Sequence, residues 1–135
     1  MENTHKGGCF CGQVRYEATG KPAHETTCHC AICRGTTGAA AVAWFSIPRT
    51  QFHFTSGEPT RFQSTRRGLR TFCAQCGTQL TFESADYPND IDVTICSLDD
   101  PESISPKDNT WVASKVSWVV LEDNLPQYRG SALGR

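Results

Sequence analysis

The sequence predicts a small, mainly β, antiparallel domain of sandwich or folded-sheet type, with few short helices and metal staples. Three observations predict it. Short β-prone runs divided by turn residues dominate the 135-residue chain, helix start and stop signals are few, and seven of the eight cysteines fall into three tight clusters. At this length one domain is expected, and metal would help a modest core.

The elements follow in order. Residues 13–18 read as a strand, with Val14 and Tyr16 on one face and Arg15 and Glu17 on the other. Residues 31–34 start a short turn of helix. Residues 39–45 are an apolar run without helical caps, read as a buried strand. Residues 51–55 alternate Phe52 and Phe54 with polar neighbours, and Ser56-Gly57-Glu58-Pro59 then turns the chain. Further strands are expected at 70–73, 79–82, 92–97 and 116–121, and a second helical turn at 99–104 before Pro106. The domain is expected to span 8–128, with 1–7 and 129–135 as flexible termini. No internal repeat or linker divides it.

Composition excludes several function classes. The net charge is −1, without the concentrated basic surface of nucleic-acid binders. No apolar run approaches the roughly 20 residues that span a bilayer, so no membrane role is expected. The polar start Met1-Glu2-Asn3-Thr4-His5-Lys6 lacks a secretory apolar core. Reduced, metal-bearing thiols in the cytoplasm are therefore expected rather than a secreted disulfide framework.

The clusters are Cys9-Phe10-Cys11, Cys28-His29-Cys30-Ala31-Ile32-Cys33 and Cys73-Ala74-Gln75-Cys76. Cys73–Gly77 has the form of a zinc knuckle, in which two thiolates grip the metal across a turn and Gly77 tolerates positive φ. A lone CxxC is also a redox motif, but no βαβ pattern surrounds these pairs. Seven thiolates cannot fill two tetrahedra. Pairing Cys9 and Cys11 with Cys73 and Cys76 closes one four-sulfur site and leaves Cys28, Cys30 and Cys33 needing a fourth ligand. That ligand is water, an incoming thiol, or a side chain such as His29 or Cys96. Spacing alone leaves both the pairing and the fourth ligand open.

The chain resembles a known family through Gly8-Cys9-Phe10-Cys11-Gly12-Gln13-Val14-Arg15-Tyr16-Glu17, Cys28 to Arg34, Ser56-Gly57-Glu58-Pro59, Phe72 to Thr78, Ser97-Leu98-Asp99-Asp100-Pro101, Trp111 with Ser114 and Trp118, and Leu125-Pro126. These segments resemble the glutathione-dependent formaldehyde-activating enzyme family, which includes centromere protein V. The resemblance covers about residues 8–128 and implies a folded sheet of β-tent type with two Zn²⁺ ions. It implies a structural zinc on Cys9, Cys11, Cys73 and Cys76 and a catalytic zinc on Cys28, Cys30 and Cys33. It further implies condensation of a glutathione-type thiol with a small aldehyde such as formaldehyde, a carbon–sulfur lyase reaction written in reverse. The alternative is a zinc-stabilised binding module without catalysis. One departure stands out: this chain has Asn109-Thr110-Trp111 where family members often carry a histidine before the tryptophan.

Around the metal, Arg34 is the nearest cation in sequence, and Arg66, Arg67 and Arg70 are candidates for charge compensation or for glutathione's carboxylates. His29 is expected to turn from the metal, at the surface or to a hydrogen bond behind the ligands. Trp111 and Trp118 are expected to fill core, as large aromatics mostly do. His5, His24 and His53 read as surface or edge residues, Cys96 as a small buried hydrophobe, and Asp99 and Asp100 as turn or cap residues.

Overall fold

The computed structural model describes residues 3–132. It contains ten strands and one α-helix. In chain order these are β1 (Thr4–Gly8), β2 (Arg15–Thr19), β3 (Ala23–Cys28), α1 (Ala31–Thr37), β4 (Val42–Pro48), β5 (Phe52–Ser56), β6 (Thr60–Thr65), β7 (Gly68–Phe72), β8 (Gln79–Ser84), β9 (Asp90–Thr94) and β10 (Asp108–Thr110). A three-stranded sheet runs β1-β2-β5, and a seven-stranded sheet runs β10-β3-β4-β9-β8-β7-β6. All pairings are antiparallel except β10 with β3, which is parallel.

Period-two alternation gives each large-sheet strand two faces. In β4 and β9, Phe45 and Ile47 sit in register with Val93 and Ile91. These four pack with Tyr16, Ala18 and Phe52 of the small sheet, and with Val14 just before β2, in one buried cluster. The core therefore lies between the sheets. The intervening residues Trp44, Ser46, Asp90 and Asp92 point the other way and line a cavity. The sheet thus has one face packed into the core and one open to the cavity.

Several boundaries differ from the sequence reading. The run at 39–45 becomes β4 only from Val42, because Gly38 adopts φ +76 to cap α1 and the Ala39 N–H is held by the Thr37 hydroxyl. The run at 92–97 is a strand only to Thr94. There the Thr94 hydroxyl turns to the Ser97 hydroxyl, which donates to the Thr94 carbonyl, and Ile95–Ser97 close a 3-10 turn. Cys96 points outward on that turn and is exposed, not buried.

No strand forms at 116–121. The Val116 and Val119 carbonyls accept from the Lys115 ammonium, Val119 N–H closes a turn on Val116, and no neighbouring strand pairs with the segment. High β-propensity without a ladder partner does not make a strand. Nor do the two tryptophans fill core: Trp118 is largely exposed, and Trp111 stands at the cavity rim with φ +56.

The ends are also more ordered than expected. Thr4–Gly8 pair with Arg15–Thr19 as β1 rather than forming a flexible terminus. Near the other end, Gly130 and Tyr128 carbonyls accept from Trp111 and Val112 N–H groups, so residues 129 and 130 are tied to the domain. Residues 133–135 lie outside the described residues.

Candidate metal centres and the cavity

The two cysteine groups assemble as separate sites. Cys9, Cys11, Cys73 and Cys76 bring their four sulfurs within 4.8 Å of one another, as do Cys28, Cys30 and Cys33 with three. The sulfur separations test whether a metal fits. Zinc–sulfur bonds of about 2.3 Å give a tetrahedron whose edge is about 3.8 Å. Cys9–Cys11 is 3.6 Å, Cys11–Cys73 is 3.7 Å, and Cys28–Cys33 is 3.6 Å. A disulfide would require about 2.0 Å. All eight cysteines are free. Both donor sets fit a tetrahedral, sulfur-preferring dication.

Turn chemistry builds the four-cysteine site. Gly12 and Gly77, at φ +83 and +84, reverse the chain just after Cys11 and Cys76. Cys9 N–H donates to the Val14 carbonyl and Cys73 N–H to the Thr78 carbonyl, so the two loops are closed alike. Phe10 N–H donates to the Thr78 hydroxyl at 3.0 Å and joins them. The Thr78 side chain and N–H, with other amides, lower the Cys76 pKa to about 5.

The three-cysteine site belongs to one short segment. Cys28 ends β3, and Cys30 precedes α1 and caps it, its sulfur accepting the Cys33 N–H at 3.2 Å. Cys28 and Cys33 are buried, and Cys30 is half-buried. Contacts with Cys28 and Cys33, with the N–H groups of Cys33 and Ile32, pull the Cys30 pKa down. Contacts with Cys30 and Cys33, with burial, push Cys28 up. Three close sulfurs cannot all ionise without a cation, so metal binding displaces protons here.

Both internal candidates for a fourth ligand are elsewhere. Cys96 is exposed on its own turn. His29 is 1% exposed and directs Nε2 to Asn109 Oδ1 at 3.0 Å, away from the sulfurs. Asn109 in turn donates to the Asp123 carboxylate at 3.1 and 3.4 Å. This chain, buried at His29 and Asn109 and open to solvent at Asp123, ties the cysteine segment to β10, helped by His29 N–H to the Thr110 carbonyl at 3.0 Å. Asn109, the departure from the family pattern, is thus a prop behind the ligands. Among the described residues, no fourth Cys, His, Asp or Glu joins the group.

All three cysteines line the cavity, whose volume is about 440 Å³. None of the other four does. Trp44 and Phe82 form an apolar wall, while Asp90, Asp92 and Asp108 contribute carboxylates. The arginine candidates separate. Arg34 is spent on the Ser114 carbonyl at 2.5 Å and the His29 carbonyl at 3.5 Å. Arg66 and Arg67 form the exposed two-residue turn between β6 and β7, and Arg67 pairs with Asp86. Arg70 alone of the four lines the cavity. Sequence reasoning missed Trp44, Phe82 and the carboxylates; only the alternation of β4 and β9 hinted at a second functional face.

With this geometry in place, comparison with known proteins is decisive at family level. Residues 4–114 match the model of the family described as "Glutathione-dependent formaldehyde-activating enzyme". The chain belongs to this family. A solved relative in fold is a crystal structure of a Rhodobacter sphaeroides protein, 20% identical, covering 91% of this chain and 98% of that one with a TM-score of 0.59. Membership suggests glutathione-dependent formaldehyde activation and agrees with the two metal-capable cysteine groups. Among the described residues, no helix of this family member is long and apolar enough to cross a membrane.

Proposed function

We propose that the protein joins a glutathione-type thiol to a small aldehyde such as formaldehyde, giving an S-hydroxymethyl adduct (a hemithioacetal), the reverse of a carbon–sulfur lyase reaction. The observation that carries this is the three-cysteine group on the cavity wall, with sulfurs at tetrahedral spacing and a fourth ligand left to come from outside the described residues. Cys28, Cys30 and Cys33 would hold Zn²⁺, and Cys9, Cys11, Cys73 and Cys76 a second, structural Zn²⁺. Zinc bound at the first site supplies a charge that keeps an incoming thiol ionised near neutral pH, where a free thiol of pKa about 8.5 is mostly protonated.

The chain's own residues do the rest. The Trp44 and Phe82 rings exclude water from the reacting sulfur, and the cavity holds thiol and aldehyde together so that encounter becomes intramolecular. Asp90, Asp92 and Asp108 suit the ammonium group of a glutathione-type zwitterion. His29, Asn109 and Asp123 keep the cysteine segment oriented. The free thiols suit a reducing compartment such as the cytoplasm.

The test is NMR exchange spectroscopy with ¹³C-formaldehyde and glutathione. Protein with two zincs should speed exchange between formaldehyde hydrate and its thiol adduct. Cys30→Ser should abolish the acceleration while the fold persists. If fully loaded protein leaves the exchange unchanged, the activity is wrong and a binding module is left.

A further inference from the structure

We propose that Arg70 is a catalytic residue: its Nη1 holds the aldehyde oxygen as that oxygen gains charge during attack by the thiol. This rests on the reading of the cavity given above.

Arg70 is 3% exposed, an uncommon position for a guanidinium. Four contacts fix it. Its Nε donates to the Ser64 hydroxyl at 3.3 Å, and its Nη2 lies 3.6 Å from the Cys33 sulfur. Its Cζ sits 4.9 Å from the Phe82 ring centroid and 5.7 Å from that of Trp44. Phe82 is its direct cross-strand partner, so the stacking is set by the β7–β8 register. Nη1 is buried and has no hydrogen-bond partner. A buried donor left unmatched is costly, which makes this atom a site awaiting an acceptor.

Position tells which acceptor. The two η nitrogens share one rigid planar fork, and the other is already against a metal-ligand sulfur. An oxygen bound to Nη1 therefore lies close to the Cys33 sulfur and to the ion that sulfur would ligate, where an incoming thiol would meet the aldehyde, and not where the distant carboxylates of a peptide-sized thiol would reach. The cavity's described lining includes no lysine and no second arginine to share the task. The step balances simply. The thiolate lone pair forms the S–C bond, the carbonyl π pair moves onto oxygen, and Nη1–H donates to that oxygen without releasing its proton. The oxygen then takes a proton from solvent, replacing the one the thiol gave up on ionising. A fixed donor aimed at developing charge in a partly apolar site is worth about 10²–10³ in rate.

The experiment compares wild type with Arg70→Ala and Arg70→Lys. It measures zinc per chain, glutathione affinity by calorimetry, and exchange of ¹³C-formaldehyde into the adduct. The expected result is two zincs and glutathione affinity within about twofold in each variant, with turnover down about 100-fold in Arg70→Ala and partly restored by added guanidinium. Arg70→Lys keeps the charge but loses the fork, so it should remain at least tenfold impaired. Weaker glutathione binding with normal turnover would mean carboxylate docking and overturn the proposal. Loss of one zinc in both variants would mean mere charge compensation and overturn it too. Active wild type with an equally active Arg70→Ala removes this inference alone, whereas inactive, zinc-loaded wild type removes the parent reading as well.

Discussion

The two cysteine groups use the same donor atom at the same spacing, yet the fold gives them opposite surroundings. One gathers Cys9 and Cys11 with Cys73 and Cys76, from loops 62 residues apart at the nearest pair of sulfurs, and faces no cavity. The other draws Cys28, Cys30 and Cys33 from six consecutive residues and exposes them to a cavity of about 440 Å³. A ligand set that joins distant loops contributes to folding; a local set cannot staple much and is free to serve a ligand. Location and donor number, not donor chemistry, separate the two groups.

The sharpest way to break this comparison is to remove one sulfur from each group. Cys73→Ser should abolish cooperative unfolding by circular dichroism, since structural zinc contributes on the order of 10 kcal/mol to small domains. Cys30→Ser should unfold within a few degrees of wild type. If both variants collapse alike, the distinction fails.

The next largest effect separates the two faces of β4. Phe45→Ala empties the core between the sheets and should cost about 3–5 kcal/mol in urea denaturation, with metal content unchanged. Behind the cavity, Asn109→Ala should cost about 1–3 kcal/mol by stranding His29 Nε2. The same change should let a chelator strip the three-cysteine site about tenfold more readily while sparing the four-cysteine site.

The smallest effect lies on the surface near the four-cysteine loop. Arg15 holds Asp99 in a bidentate pair and keeps its carboxyl below the usual range. A depressed carboxyl pKa stabilises above the unfolded value of about 3.9 and loses that contribution as pH falls through the lower folded value. Asp99→Asn should therefore cost under about 1 kcal/mol at pH 7, because the pair is solvent-screened. Its penalty should begin to shrink below about pH 4 and vanish only once the pH falls below the depressed folded value.

The cysteine groups were legible because tight thiol spacing carries its own chemistry. The core strands were legible where apolar alternation survives, as in Val14, Tyr16 and Ala18. β3 and β10 were not, since Ala23–Cys28 and Asp108–Thr110 place polar residues over the cavity and pair in parallel across 82 residues. Arg70 stood at the start of an expected strand, apart from Arg66 and Arg67, but nothing in the sequence singled it out as the one at the cavity. Only strand register puts it against Phe82 while its neighbours fall in the turn.

The most direct measurement is a glutathione titration of the protein loaded with two Co²⁺ ions, followed by sulfur-to-metal charge-transfer absorption. Glutathione should raise the signal of the three-cysteine site by about one sulfur's worth, four in place of three, and leave the four-cysteine site unchanged. A spectrum already showing four sulfurs at both sites, or one that glutathione does not alter, would contradict the central claim.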